Sequence, residues 1–171
     1  IMMKAIRFHE NPIIFSGLSP EIGENINGPS LIQVPAWVRN PLAKYYLYFA
    51  HHQGQFIRMA FADDLHGPWK CREGGVLGLG DTMFEHHIAS PDVHLDEESR
   101  QIVMYFHGVM PRGSTDFAGQ RTAVAVSEDG LVFRQFGSAS IGPFYFRVFR
   151  YKGAVYAVAK TTLQDGGGEL L

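Results

Sequence analysis

The stretch that decides the fold is Lys44-Tyr45-Tyr46-Leu47-Tyr48-Phe49-Ala50-His51, an unbroken aromatic and aliphatic run of the kind that forms a buried β-strand. A similar run at 56–61 follows it, and the turn sequence Asp63-Asp64-Leu65-His66-Gly67-Pro68 closes that run. Further short runs rich in β-branched and aromatic residues lie at 31–34, 102–106, 122–126, 144–149 and 154–158. No window keeps a 3.6-residue apolar period with helix caps. The chain is therefore predicted to be essentially all-β.

The strand runs recur in units along the chain. Pro29, Pro91 and Pro143 each open a unit, and an aromatic second strand follows each of them. Four antiparallel strands that repeat about every 50 to 60 residues are typical of the blades of a β-propeller. The units predict a first blade at about 27–75, a second at about 86–137 and the start of a third at about 141–171. A single β-sandwich is the alternative.

About two and a half blades cannot close into a ring, and ring closure is what removes the exposed edges of propeller sheets. We therefore expect the chain to be a fragment of a longer propeller, with the remaining blades of the same chain as its partners. The first residues, Ile1-Met2-Met3-Lys4, show no signal-peptide pattern, and the localisation stays open.

Composition excludes several classes of function. The 171 residues include 15 Lys and Arg against 17 Asp and Glu, so no basic field favours nucleic acid. Apolar runs are far shorter than the ~18 residues that a membrane span needs. The single cysteine, Cys71, rules out an internal disulfide framework and a cysteine-rich zinc site.

The innermost strands of a propeller line its central channel, so functional side chains are expected where these strands start. In the second unit, strand periodicity predicts that Ser90, Asp92 and His94 share one polar face. A carboxylate with an imidazole two residues away is a candidate acid/base or sugar-binding pair. The alternative is that Asp92 accepts backbone amide hydrogens at the start of its strand.

Other candidates for substrate binding are His51, His87, His107, Tyr145 and Arg147. Arg147 lies among aromatic residues, where an unpaired charge is costly, so a carboxylate partner or an anionic or hydroxyl-rich ligand is expected beside it. The eight histidines include no His-x-His or His-Glu-x-x-His spacing. No cofactor is therefore predicted, although a structural divalent cation in the channel remains the alternative.

Several segments together resemble the five-bladed β-propeller glycoside hydrolases, the superfamily of families 43 and 32. Three segments resemble the first blade of these enzymes: Gly28-Pro29-Ser30-Leu31-Ile32, the run at 44–51, and Ala62-Asp63-Asp64-Leu65-His66-Gly67-Pro68-Trp69. Ser90-Pro91-Asp92-Val93-His94-Leu95-Asp96 and Met104-Tyr105-Phe106-His107-Gly108 resemble the second blade. The resemblance covers nearly all of residues 10–160. It implies the N-terminal part of a five-bladed propeller that handles carbohydrate in its channel.

The sequence departs from that family at the position most important for cleavage. Such enzymes use a first-blade Asp as base or nucleophile, a second carboxylate that positions it, and a glutamic acid donor in a later blade. Here Gly28-Pro29 stands where the first-blade Asp-Pro is expected, and the third inner strand offers Phe144, Tyr145 and Arg147 but no Glu. Asp92 is left as the inner-strand carboxylate that could inherit a catalytic role.

Two functions remain open at this point. In the first, which the resemblance favours, the protein is a glycosidase in which Asp92 acts as base or orients the base. His87, His94 and Arg147 would then contact sugar hydroxyls or a charged sugar. In the second, the protein is a non-catalytic carbohydrate-binding propeller.

Overall fold

The structure is a computed structural model that describes residues 3–114 and 119–160, together with the backbone of 168–170. In these residues it contains thirteen β-strands and two 3-10 turns, Ser16–Leu18 and Leu79–Asp81. Each strand pairs with its neighbours in antiparallel fashion. The prediction of an all-β chain is confirmed. No helix in the described part of the chain is long and apolar enough to cross a membrane.

The strands form three sheets that follow one another along the chain. The first sheet contains β1 (Asn27–Gln33), β2 (Tyr45–Ala50), β3 (Phe56–Ala62), β4 (Lys70–Cys71) and β5 (Leu77–Gly78). The second contains β6 (Glu85–Asp96), β7 (Gln101–Val109), β8 (Gln120–Ser127), β9 (Arg134–Phe136) and β10 (Gly142–Pro143). The third contains β11 (Arg147–Tyr151), β12 (Ala154–Lys160) and β13 (Gly168–Leu170).

Within each sheet, most neighbouring strands are also neighbours in sequence. The first sheet runs β1-β2-β3-β4, with β5 also paired to β3. The second runs β6-β7-β8-β10, with β9 also paired to β8, and the third runs β11-β12-β13. This meandering order is the one expected of propeller blades. The blade limits predicted from the sequence remain predictions, since these sheet bounds do not by themselves define domains.

The aromatic run that predicted a strand is β2, and both of its faces are buried. Tyr46 and Tyr48 enter the core shared with the second sheet, whereas Leu47 and Phe49 pack on the other face. On that other face, Ile22 from the segment before β1 covers the sheet. A strand with two buried faces has no need for polar residues at alternate positions, which explains its continuous apolar sequence.

The main core lies between the first and second sheets. Ile57 and Met59 from the first sheet and Met104 and Phe106 from the second are all almost completely buried there. The buried Tyr48 hydroxyl donates a hydrogen bond of 2.9 Å to the carbonyl of Gly130, so this polar group enters the core with a partner.

A smaller core joins the second sheet to the third. Phe146, Ala157 and Ala159 are buried there, and Tyr105 and Val148 pack against them. The sheets therefore pack in series, the first on the second and the second on the third, as successive blades do. A two-layer sandwich would instead bury one face of each of two sheets. The propeller prediction is confirmed.

Two local predictions need correction because the backbone leaves the regular strand conformation. The run at 144–149 was expected to be one strand, but β11 begins only at Arg147, because Tyr145 has a φ of 69°. In β6 the pairing with β7 shifts between Ala89 and Asp92, and Ser90 has a φ of 50°. This β-bulge breaks the alternation that was expected to place Ser90 on one face with Asp92 and His94.

Candidate functional site

A cleft where all three sheets meet collects most of the polar side chains predicted to bind substrate. Its volume is about 700 Å³. We call it the histidine cleft, and it is lined by Asn27, His52, Gln53, His87, Ala89, Ser90, His107, Gln120, Phe144, Tyr145 and Lys160. The irregular backbone at Ser90 and Tyr145 is what turns these two residues toward the cleft rather than into the regular strand alternation.

Gly28 and Ser90 bring the inner strands β1 and β6 close together beside the cleft. Gly28 has a φ of 59°, in the left-handed region that glycine adopts most readily. A Cβ atom at Gly28 would lie 2.6 Å from the Cα atom of Ser90. The position where the resembled family carries its first-blade Asp therefore has no room here for any side chain.

His107 forms the inner wall of the histidine cleft and is only 5% exposed. Its ring centroid lies 5.5 Å from that of Phe144, 5.8 Å from that of Tyr145 and 6.3 Å from that of His87. Burial, with smaller contributions from the charges of His87, Arg147 and His52, lowers the pKa of His107 to about 3. The ring is therefore neutral at physiological pH.

Two buried polar atoms in the lining of the cleft have no hydrogen-bond partner among the described residues. They are Nδ1 of His107 and Oδ1 of Asn27. The amide nitrogen of Asn27 does have a partner, because it donates to the Asn25 side chain over 3.1 Å. His87 is also held, since its Nε2 lies 3.2 Å from Oε1 of Gln120. The lining of the cleft thus combines polar groups that are held by hydrogen bonds with two buried polar atoms that have no partner among the described residues.

Asp92 lies outside the lining of the histidine cleft, in a cluster where the second and third sheets meet. Its Oδ2 accepts a hydrogen bond of 2.7 Å from the backbone N–H of Val148 and lies 2.9 Å from Nε2 of His94. Its Oδ1 lies 4.0 Å from Nη1 of Arg147. The carboxylate is 9% exposed, so these protein partners surround most of it.

Arg147 is held beside Asp92 by backbone carbonyls. Its Nη1 donates to the carbonyl oxygens of Pro91 and Phe146, each over 3.2 Å. The centre of its guanidinium group lies 5.0 Å from the ring centroid of Tyr145, so it forms a cation–π contact with a residue that lines the cleft. From the sequence, Arg147 was expected to have either a carboxylate partner or an anionic or hydroxyl-rich ligand. Asp92 is a carboxylate partner of this kind.

The residues predicted from the sequence are thus divided between two places. His87, Ser90, His107 and Tyr145 line the histidine cleft, whereas Asp92, His94 and Arg147 form the cluster between the sheets. His51 does neither, because it forms a turn in which its Nδ1 accepts from the N–H of Gln53. Whether any of them acts on a substrate remains a prediction.

Several residues of the cleft were not among the sequence predictions: Asn27, His52, Gln53, Gln120, Phe144 and Lys160. Asn27 directly precedes the Gly28-Pro29 pair, so its place at the start of an inner strand was a usable signal. Gln120 and Lys160 lie at strand ends, and no local pattern distinguishes them from other solvent-facing strand ends. Among the described residues, no group of three or more His, Cys, Asp or Glu side chains could hold a metal ion.

Comparison with known proteins gives one curated relative with a similar sequence. It is an uncharacterized protein of Acanthamoeba polyphaga mimivirus, 30% identical, and the match covers 88% of this chain and 47% of the relative. The chain therefore spans about half the length of that protein. No family model matches the chain.

Solved structures with the same fold are glycoside hydrolases. An exo-β-1,3-galactanase from Phanerochaete chrysosporium, solved with β-1,3-galactotriose, has a TM-score of 0.59 at 15% identity over 80% of this chain and 32% of its own. A family 43 β-xylosidase/α-arabinofuranosidase from a compost metagenome, solved with xylotriose, has a TM-score of 0.59 at 18% identity, covering 78% and 42%. An α-L-arabinofuranosidase from Clostridium thermocellum has a TM-score of 0.55 at 19% identity, covering 84% and 45%. At these identities the likeness concerns the fold alone, and the described chain has the fold of part of a five-bladed β-propeller.

Proposed function

We propose that the histidine cleft binds a saccharide, and that the residues lining it do not cleave it. The observation that carries the proposal is that two residues lining the same cleft, Asn27 and His107, each hold a buried polar atom without a partner among the described residues, Oδ1 and Nδ1 respectively. Leaving such an atom unpaired costs about 1–3 kcal/mol. A sugar hydroxyl can donate a hydrogen bond to Oδ1 of Asn27. It can accept one from Nδ1 of His107 in the tautomer that carries the proton there, and it can donate one to Nδ1 in the other tautomer.

The rest of the lining suits a sugar as well. Phe144 and Tyr145 offer aromatic surface, and Gln53, Gln120 and His52 add polar groups around it. Small-molecule sites typically combine apolar walls with a few polar groups in a volume of about 300–1,000 Å³. The cleft, at about 700 Å³, lies within that range.

The absence of cleavage is proposed because glycoside hydrolysis needs two suitably spaced carboxyl groups. None of the described residues that line the cleft is Asp or Glu. Gly28 has no space for the carboxylate of the resembled family, and the carboxylate of Asp92 is already occupied by Val148 and His94.

The proposal can be tested by titrating the protein with neutral and acidic trisaccharides in a calorimeter, and by analysing the same samples for released sugar. Tyr145→Ala removes an aromatic wall of the cleft, and Tyr151→Ala is the matched control because that exposed tyrosine lies outside it. We expect at least one trisaccharide to bind, about tenfold more weakly to the Tyr145 variant and unchanged to the control, without release of sugar. Absence of binding to every sugar tested, or equal weakening in both variants, would refute the proposal.

Hydrolysis is the second candidate, and the pairing of Asp92 with His94 is the observation that favours it. The two side chains lie 2.9 Å apart, and the His94 side chain is 37% exposed, so the imidazole could exchange a proton with a bound molecule. Release of sugar by the unaltered protein separates the two candidates, and replacing Asp92 by Asn tests whether this carboxylate takes part. Loss of sugar release with binding retained would support an enzyme, whereas release that survives the substitution would remove Asp92 from catalysis.

A further inference from the structure

The charges around the histidine cleft narrow the kind of saccharide that it would hold. We propose that the ligand is an acidic saccharide, one whose sugar rings carry carboxylate groups, and that Lys160 binds a carboxylate. This inference rests on the proposed function and adds to it the chemical class of the ligand.

Lys160 is the positive charge of the cleft itself. Among the described lining residues it is the one lysine or arginine, and no Asp or Glu lies with it. Its ammonium group lies 5.4 Å from the ring centroid of Phe144, and its backbone N–H donates to the Phe144 carbonyl over 3.0 Å. The lysine is therefore held next to an aromatic wall of the cleft, where a bound sugar would pack.

A second positive charge lies behind the other aromatic wall. The guanidinium group of Arg147 lies 5.0 Å from the Tyr145 ring. Asp92 is 4.0 Å from this group and offsets part of its charge. No comparable carboxylate partner is recorded for Lys160 in the described part of the chain, so Lys160 is the group assigned to the ligand's carboxylate.

The positive cleft contrasts with the protein as a whole, whose formal net charge is −2. An acidic saccharide gains little from the average field of such a protein, so its recognition must be local. A neutral sugar would offer Asn27 and His107 the same hydrogen bonds but would offer the Lys160 ammonium no oppositely charged group. Charge-assisted hydrogen bonds are about twice as strong as neutral ones, and this difference is the source of the selectivity.

The experiment compares two ligands of nearly the same size, trigalacturonate and its methyl ester, in which the carboxylates are masked. Calorimetry on the whole protein is expected to give at least tenfold tighter binding of the acid than of the ester, with the difference shrinking as salt is added. Lys160→Met is expected to abolish this preference. Lys152→Met is the matched control, since that lysine also lies over an aromatic ring, 5.2 Å from Tyr151, but outside the cleft.

The outcomes separate this inference from the proposed function. If the ester binds as tightly as the acid, or if Lys160→Met keeps the preference for the acid, the acidic ligand is refuted while saccharide binding stands. If neither form binds and the neutral trisaccharides also fail, the proposed function fails and the inference fails with it.

Discussion

Gly28 shows how the backbone at one residue limits which side chains an inner strand can carry. Its φ of 59° and the 2.6 Å approach of the Ser90 Cα atom to a Cβ position exclude side chains at the point where the resembled glycosidases carry an Asp. The absence of a side chain at this position is therefore fixed by the backbone packing of β1 against β6. Placing a side chain there would require one of the two inner strands to move.

Replacing Gly28 by Ala should destabilise the protein more than the same change at a glycine with free space. Gly137 is the matched control, because its φ is 76° and nothing lies within 4 Å of its Cβ position. A left-handed conformation costs a non-glycine residue about 1–2 kcal/mol, and the clash at Gly28 adds about 1–3 kcal/mol more. Urea unfolding should give these different losses, and equal losses at the two sites would show that Ser90 does not crowd Gly28.

His107 should make the stability of the protein depend on pH. Its pKa is 6.5 when unfolded and about 3 when folded, so between these values the unfolded state binds the extra proton. This contribution to the free energy of unfolding is fully present above pH 6.5. It decreases by about 1.4 kcal/mol per pH unit as the pH falls toward 3. Urea unfolding at several pH values should show a shallower dependence for His107→Gln, and an unchanged dependence would mean that the buried ring takes up protons freely.

At the scale of single elements, Asp92 connects two inner strands. It belongs to β6, and it accepts the backbone N–H of Val148 in β11. Asp92→Ala would leave that N–H without its partner, at a cost of about 1–3 kcal/mol. We expect faster hydrogen exchange at Val148 in this variant. Asp64→Ala, which removes an exposed turn carboxylate, is the control and should leave Val148 unchanged. Unchanged exchange in Asp92→Ala would show that the cross-sheet bond contributes nothing.

The sequence was sufficient to predict the strands but not the irregular points within them. The run at 44–51 and the repeated units predicted β2 and the succession of sheets, because apolar periodicity reports burial directly. The bulge at Ser90 and the positive φ of Tyr145 were not predictable, since neither residue is glycine. These two points decide which side chains reach the cleft. The candidate site was therefore only half predicted, and Asp92 was separated from His87 and His107.

At the scale of the whole molecule, the third sheet has an apolar face that the described residues do not cover. Phe149 and Tyr151 are 41% and 56% exposed, and Phe149 stacks on Tyr156 at 5.7 Å. In a ring of blades such a face would pack against a following sheet, whereas exposed apolar patches promote association.

The 171-residue chain on its own should therefore self-associate as its concentration rises, which light scattering after size-exclusion chromatography would detect. The double substitution of Phe149 and Tyr151 by Ser should reduce this association. Phe136→Ser removes an even more exposed ring, 69% exposed, from the second sheet and serves as the control. A chain that remains monomeric at every concentration would show that this apolar face does not cause self-association.

The most direct test of saccharide binding is the ¹⁵N signal of the His107 ring, observed by NMR during a titration with trigalacturonate. We expect the Nδ1 signal of His107 to shift as this atom gains a hydrogen-bond partner, whereas the signals of the ring nitrogens of His94, outside the cleft, stay unchanged. Saturating ligand that moves the His94 signals and leaves those of His107 unchanged would contradict this expectation.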